Sequence, residues 1–220
     1  MIMGFLYAYH FDPDIGQPCL CGAAVRAIQC FECLQYEALC AECWVKEHIH
    51  NPLHWAEVWK PEVGFFVRHD ISMLDTPNCI IQLGHKGRAC PNPVKSDGQM
   101  FLITHTNGIH ATRVGFCGCN GLTRVDKVAQ LAAARLLTPT VTDPQSACTL
   151  NVLRQHSVHH TQSKCSTYDF IHALRRLTDA VFTVYVPVSI VNTRAIYAVF
   201  RGLDRIRTKP FNESSGSLIT

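Results

Sequence analysis

The sequence predicts an α+β fold: a Cys/His-rich head, a β-rich middle and a helical end. Three observations predict it. Twelve Cys and twelve His share 220 residues, and six of the Cys crowd between positions 19 and 43. An Asn107-Gly108 pair sits between two apolar runs, a strong hairpin signal. Apolar residues take helical spacing only after about residue 124. Charged residues make up 17% and apolar residues 47% of the chain, which excludes a wholly disordered polymer and leaves enough material for a core. No apolar run reaches the roughly 18 residues of a membrane helix, and the longest, Ala180 to Val191, contains Pro187. Met1 to Phe11 has neither a basic start nor a small-residue cleavage site, so no signal peptide and an intracellular chain are expected. In that setting, Cys paired with His points to metal rather than to disulfides.

The head, residues 17–59, reads Cys19-x-Cys21, Cys30-x2-Cys33, Cys40-x2-Cys43, then His48-x5-His54. One tight turn can aim two thiolates at one ion, and two such turns complete a tetrahedron. Four pairs therefore suit two zinc ions. Alternating pairs along a chain close as a cross-brace, the first with the third and the second with the fourth. On that rule Cys19, Cys21, Cys40 and Cys43 hold one ion, and Cys30, Cys33, His48 and His54 the other. His50 lies between the chosen histidines and is an alternative to His48. The spacing resembles the B-box and ZZ-type fingers. Trp44, Trp55 and Trp59 are expected to pack around these knuckles, since so small a module has little other core.

The middle, residues 60–123, is expected to be β-rich. Met100–His105 and Ile109–Phe116 flank the turn, with Thr106 facing Ile109 and His105 facing His110. A sparser ligand set lies here: His85, Cys90, His110, Cys117 and Cys119. His110 stands beside the turn, and Cys117 is seven residues on, about 23 Å along a strand. One ion cannot span that distance. His85 and Cys90 enter at the open end, where Cys117 and Cys119 leave. A third zinc site of His85, Cys90, Cys117 and Cys119 is therefore expected, against ordinary packing of scattered Cys and His. Cys79, Cys148 and Cys165 are expected to be buried apolar thiols.

Residues 124–181 are expected to be helical. Asp126–Leu137 is Ala/Leu-rich and stops before Pro139, and Thr149–His160 is a looser pattern. The clearest helix follows Ser166, a capping residue with Asp169 three positions on. Phe170, Ile171, Leu174, Leu177 and Val181 keep its inner spacing, and Arg175 and Arg176 fall outside. Residues 182–220 read as a divergent tail, with a β-branched run at Val184–Val191, a basic run at Arg201–Lys209 and a polar, disordered stretch at Asn212–Ser217.

Charge is uneven. Residues 1–60 hold 3 Lys/Arg against 7 Asp/Glu, whereas residues 150–220 hold 9 against 4. The head is thus ill-suited to DNA phosphates, and any DNA contact belongs after residue 150. No phosphate-binding Gly loop and no H-E-x-x-H stand in the sequence, and zinc-bound thiolates are spent as nucleophiles.

Several motifs then occur in one order: the Cys pairs; His48-x3-Pro52-x-His54; Trp59; Leu83-Gly84-His85-x-Gly87-x2-Cys90; Asn107-Gly108-Ile109-His110; Phe116-Cys117-x-Cys119; Gln130-Leu131; Pro139-Thr140 to Pro144; Tyr168-Asp169-Phe170; and Arg176-Leu177-Thr178-Asp179. From Cys19 to Asp179 the chain resembles the CxC-type cysteine-cluster domain that stands N-terminal to KDZ (Kyakuja–Dileera–Zisupton) transposases of fungi. It departs in its first Cys pair, one residue shorter than C-x2-C. Residues 181–220 also match no part of the catalytic domain that follows in similar proteins. The resemblance implies a non-catalytic zinc-binding module from a truncated or solo transposable element. It would be nuclear, with a chromatin, DNA or protein partner and no membrane. The alternative is a B-box/ZZ-like protein-interaction scaffold with no DNA role.

Overall fold

Cys knuckles need tight turns rather than long elements, and the head has few regular ones. The computed structural model describes residues 12–34, 37–76, 79–119 and 126–179, with Thr183, Val186 and Val199. In the head these are strand β1 (Ile28–Gln29), helix α1 (Ala41–Glu47), and strands β2 (Ala56–Lys60) and β3 (Phe65–His69). They form an antiparallel sheet in the order β1-β2-β3. The β2–β3 hairpin turns at Lys60–Gly64, where Gly64 takes φ 71° and its N–H donates to the Lys60 carbonyl. Trp59 and Phe66, directly opposed, meet edge to face at 5.0 Å. This hairpin carries the head's sheet past residue 59.

A second sheet contains β4 (Ile81–Gln82), β5 (Gln99–His105), β6 (Gly108–Gly115), β7 (Leu136–Leu137) and β8 (Ser146–Thr149). Its order is β4-β6-β5-β8-β7, with β5–β6 and β7–β8 antiparallel and the other pairs parallel. Two of its strands lie in residues 124–181, so that region is not purely helical. Helix α2 runs only Lys127–Ala133, capped by Asp126. Arg135 then turns left-handed at φ 61°, and Leu136–Leu137 join the sheet instead of extending the helix.

Helix α3 spans Leu150–Ser163, with Thr149 as its cap. Helix α4 spans Thr167–Thr178, and the Ser166 hydroxyl accepts from the Asp169 N–H. Asp169 returns the contact to the Ser166 hydroxyl at 2.6 Å rather than to its backbone. Phe170, Ile171 and Leu174 are buried, but Leu177 is 49% exposed, because the inner face ends one turn early. Arg176 is exposed; Arg175 is partly buried and donates to the Thr183 carbonyl. The inner position expected for Val181, the runs Val184–Val191 and Arg201–Lys209 and the tail Asn212–Ser217 lie outside the described residues.

Period-2 alternation splits the core across the second sheet. Phe101, Ile103, Val114 and Ala147 face Ile28, Trp44 and Ala56 of the head together with Leu131 of α2. Ile109 and Cys148 face Val152, Leu153, Phe170 and Leu174 of α3 and α4. The head is therefore packed on one face of the sheet and the long helices on the other.

The hairpin turn sits one residue earlier than the sequence suggests. His105 pairs with Gly108 and Ile103 with His110, so the two loop residues are Thr106 and Asn107. Neither has a positive φ, unlike the type I′ turn expected of Asn-Gly. The reason is tertiary. The Asn107 amide donates to the Leu53 carbonyl at 2.7 Å and to the Glu32 carboxylate, and its own carbonyl accepts from the Trp55 indole at 3.1 Å. A Cβ on Gly108 would lie 2.7 Å from Thr178 Oγ1 and 3.2 Å from Trp55, so this glycine serves close packing.

Candidate metal centres

Three groups of four Cys/His side chains bring their ligand atoms within 4.8 Å of one another: Cys19, Cys21, Cys40, Cys43; Cys30, Cys33, His48, His54; and His85, Cys90, Cys117, Cys119. All twelve thiols are free. The contacts within the groups are 3.5–3.6 Å between sulfurs and 3.3–3.6 Å between sulfur and ring nitrogen. The edges of a zinc tetrahedron are about 3.8 Å for S···S and about 3.5 Å for S···N, given Zn–S near 2.3 Å and Zn–N near 2.0–2.1 Å. A disulfide would need about 2.05 Å. Each group can hold a metal ion of tetrahedral preference.

In the first group the short C-x-C pair works because the chain reverses within it. Gly22 takes φ 71° and donates to the Cys19 carbonyl, while the Cys19 N–H reaches the Ala24 carbonyl. Arg26, itself buried, braces this loop through Asp14 at 2.7 Å and Glu37 at 3.3 Å. Cys40 caps α1 and Cys43 lies in its first turn. Backbone N–H groups of Cys21 and Cys40 draw Cys19 down to about 6, while the Cys21 and Cys40 thiols beside Cys43 push it up to about 12. Four crowded thiols do not all ionise unaided; a cation among them removes that conflict.

In the second group His48 closes α1. Its Nδ1–H donates to the Trp44 carbonyl at 2.9 Å, and its ring stacks on Trp44 at 3.8 Å. That fixes the tautomer and leaves Nε2 to face Cys33 Sγ at 3.4 Å. Burial holds the His48 pKa below its ordinary value, which keeps the ring neutral, as a ligand must be. His54 offers Nδ1 to Cys33 at 3.3 Å and to Cys30 at 3.6 Å. Burial pushes the Cys30 thiol up to about 12. His50 is exposed and outside the group. The knuckle between Cys30 and Cys33 is anchored by Glu32, whose carboxylate accepts the Trp55 N–H at 2.6 Å.

The third group lies at the open end of the β5–β6 hairpin. His85 Nε2 is 3.4 Å from Cys117 Sγ and 3.3 Å from Cys119 Sγ, and Cys90 Sγ is 3.5 Å from Cys119 Sγ. Burial works against the Cys90 thiolate, but the Asn92 N–H and the Cys119 and Cys117 thiols outweigh it and bring Cys90 to about 7. Cys119 is raised to about 11, chiefly by the Cys90 thiol. Three residues that spacing did not single out as functional build this site. Gln130 of α2 accepts from the Cys117 N–H at 2.8 Å and donates to its carbonyl at 2.9 Å. Asn92 clasps Gly118 through both its carbonyl and its amide. Gly84 passes so close that a Cβ would lie 2.6 Å from Cys117 Cβ. Gln130 was visible only as part of the motif series, because its partner is backbone.

His110 stays beside the turn, fully buried, with its ring nitrogens 2.6 Å from Asp70 Oδ1 and 2.9 Å from Asn107 Oδ1. It stacks on Trp55 at 3.9 Å, so Trp55 packs on the hairpin as well as on the head. Cys148 is buried, and that burial pushes its thiol up to about 12; Cys79 and Cys165 are only half-buried. With four protein donors in each group, none leaves the open position a catalytic metal needs. Among the described residues no helix is long and apolar enough to cross a membrane.

No curated protein and no solved structure matches the chain. Residues 74–181 match the family described as a CxC2-like cysteine cluster associated with KDZ transposases. The match contains the whole third group and Gln130, and it begins after the eight clustered residues of the head. Over residues 74–181 the chain is thus similar to the CxC2-like cysteine clusters associated with KDZ transposases.

Proposed function

We propose that the chain is a non-catalytic recognition module of a KDZ-transposase-like protein, held in shape by three zinc ions, and that it works in the nucleus. The observation that carries this reading is the set of three four-residue groups, each with its ligand atoms within 4.8 Å of one another. Zinc suits the donors, since mixed thiolate and imidazole sets at these distances favour it over oxygen-loving cations. In the head the first and third pairs share one group and the second and fourth pairs the other. That is the cross-brace order of B-box and ZZ-type fingers, a likeness that supports protein or chromatin recognition. The acidic head supports it too. Any DNA contact falls to the basic region after residue 150. Titrating a fluorescent duplex at several salt concentrations separates the roles. Binding whose logarithm falls steeply with log salt supports DNA contact, and no saturable binding supports a protein partner alone. Magnesium-dependent cleavage by the purified chain, abolished by one Asp or Glu substitution, would contradict the non-catalytic reading.

A further inference from the structure

Where the head meets the second sheet, the two surfaces leave a cleft of about 1050 Å³. Its size suits several side chains rather than one small metabolite. Apolar groups line both sides, including Ile49 and Leu53 from the head and Ile80 and Leu83 from the CxC2 segment. The two walls differ in charge. The head wall carries Lys46 with Glu42 and the thiols of Cys21 and Cys43. The CxC2 wall carries Lys86, Arg88 and Arg135 and no carboxylate. All three cations are exposed, and among the described residues none is paired with an acid.

Arg135 adds a second, independent observation. It follows the end of α2 in the left-handed conformation, φ 61°, with its N–H bonded to the Ala132 carbonyl. That position after a helix is the one glycine fills without steric cost. The chain thus places an arginine, rather than a glycine, at a left-handed position that lines the cleft. Lys86 is left-handed too, at φ 57°, in the turn that follows His85.

We infer that this cleft docks an acidic peptide segment bearing bulky apolar side chains. The carboxylates would pair with Lys86, Arg88 and Arg135, and the apolar side chains would enter between Ile49, Leu53, Ile80 and Leu83. The partner is thus an acidic amphipathic segment of another protein rather than a basic tail, which the cationic wall repels. A duplex would meet the three cations with its phosphates but would leave Ile49, Leu53, Ile80 and Leu83 uncovered, so the apolar side chains favour the peptide. This inference rests on the recognition reading above and names the partner's chemistry.

The test uses the full chain, zinc-loaded, and a short fluorescent peptide of alternating Glu and Leu. Its Lys/Leu counterpart and a DNA duplex serve as competitors. The Glu/Leu peptide should bind saturably and resist both competitors. Arg135→Gly should weaken it about tenfold while melting no lower than the parent, since glycine relieves the left-handed strain. Arg88→Glu should weaken it at least as much, and Arg176→Glu, on the exposed side of α4, should not. Absence of binding by a fully zinc-loaded chain overturns the cleft proposal alone. So does equal binding of the Lys/Leu peptide or the duplex, or unchanged affinity in Arg135→Gly. A zinc-free chain that folds and still binds the Glu/Leu peptide upholds the cleft and overturns the zinc reading instead.

Discussion

Gln130 holds both backbone polar groups of Cys117, and with them the direction of that thiolate. A positioning group of this kind typically contributes 10–100-fold in metal affinity. Gln130→Leu should therefore lower zinc affinity at the third group by about that range, as read by chelator competition, while the head's two groups keep theirs. Gly84→Ala should be harsher, since its Cβ would overlap Cys117 Cβ and neither atom is on a flexible end. The placement of His85 rather than His110 among these thiols is legible in the sequence, because strand length alone separates His110 from Cys117. The parts played by Gln130 and Gly84 are not legible, because each acts on a residue distant in sequence through its backbone or through close packing. His105 makes a second residue-scale case. Burial lowers its pKa to about 4. Folded His105 stays neutral where the unfolded ring, near 6.5, takes up a proton. Its contribution is complete above about pH 6.5 and is lost as the pH falls toward 4. His105→Gln should flatten the stability profile in that window, checked by urea melts across it.

The hairpin shows why an element can be predicted while its turn is not. The apolar runs specify β5 and β6, and period-2 alternation specifies their faces. The loop shifted by one residue because Asn107 is claimed by Glu32, Leu53 and His110, partners from outside the hairpin and from its own second strand. Asn107→Ala would leave the Leu53 carbonyl and the His110 ring without this partner and should cost about 2–3 kcal/mol in chemical denaturation. A purely local turn residue would cost far less. Helix α4 gives the opposite lesson: its start is written locally in Ser166 and Asp169. Ser166→Ala should cost about 1 kcal/mol, and because it lies far from Asn107 the two losses should add. Strands β7 and β8 are not legible in the sequence because each is short: β8 finds its partner in β5, and β7 in β8, rather than through any pattern of their own.

At the scale of the whole molecule, the head and the CxC2 segment share one apolar core, from Cys19 to Ala147. Their ligand groups should therefore not be thermodynamically independent. Cys33→Ser, which removes a donor from the second group, should lower the stability of β5 and β6 as well, whereas Cys148→Ser should perturb mainly the α3–α4 side. Amide exchange on Ile103 and Val114 reports the difference. Composition made the metal character legible, and pair spacing made the partition of the head legible. The shared core was hidden, since nothing in the head's sequence says which face of which sheet it will cover. The most direct measurement is native mass spectrometry of the chain as purified, with chelator titration followed by circular dichroism. Three closed groups should give three zinc ions per chain, with loss of tertiary structure as they are removed. A chain that stays folded with its zinc stripped, or that never holds more than one ion, would contradict this.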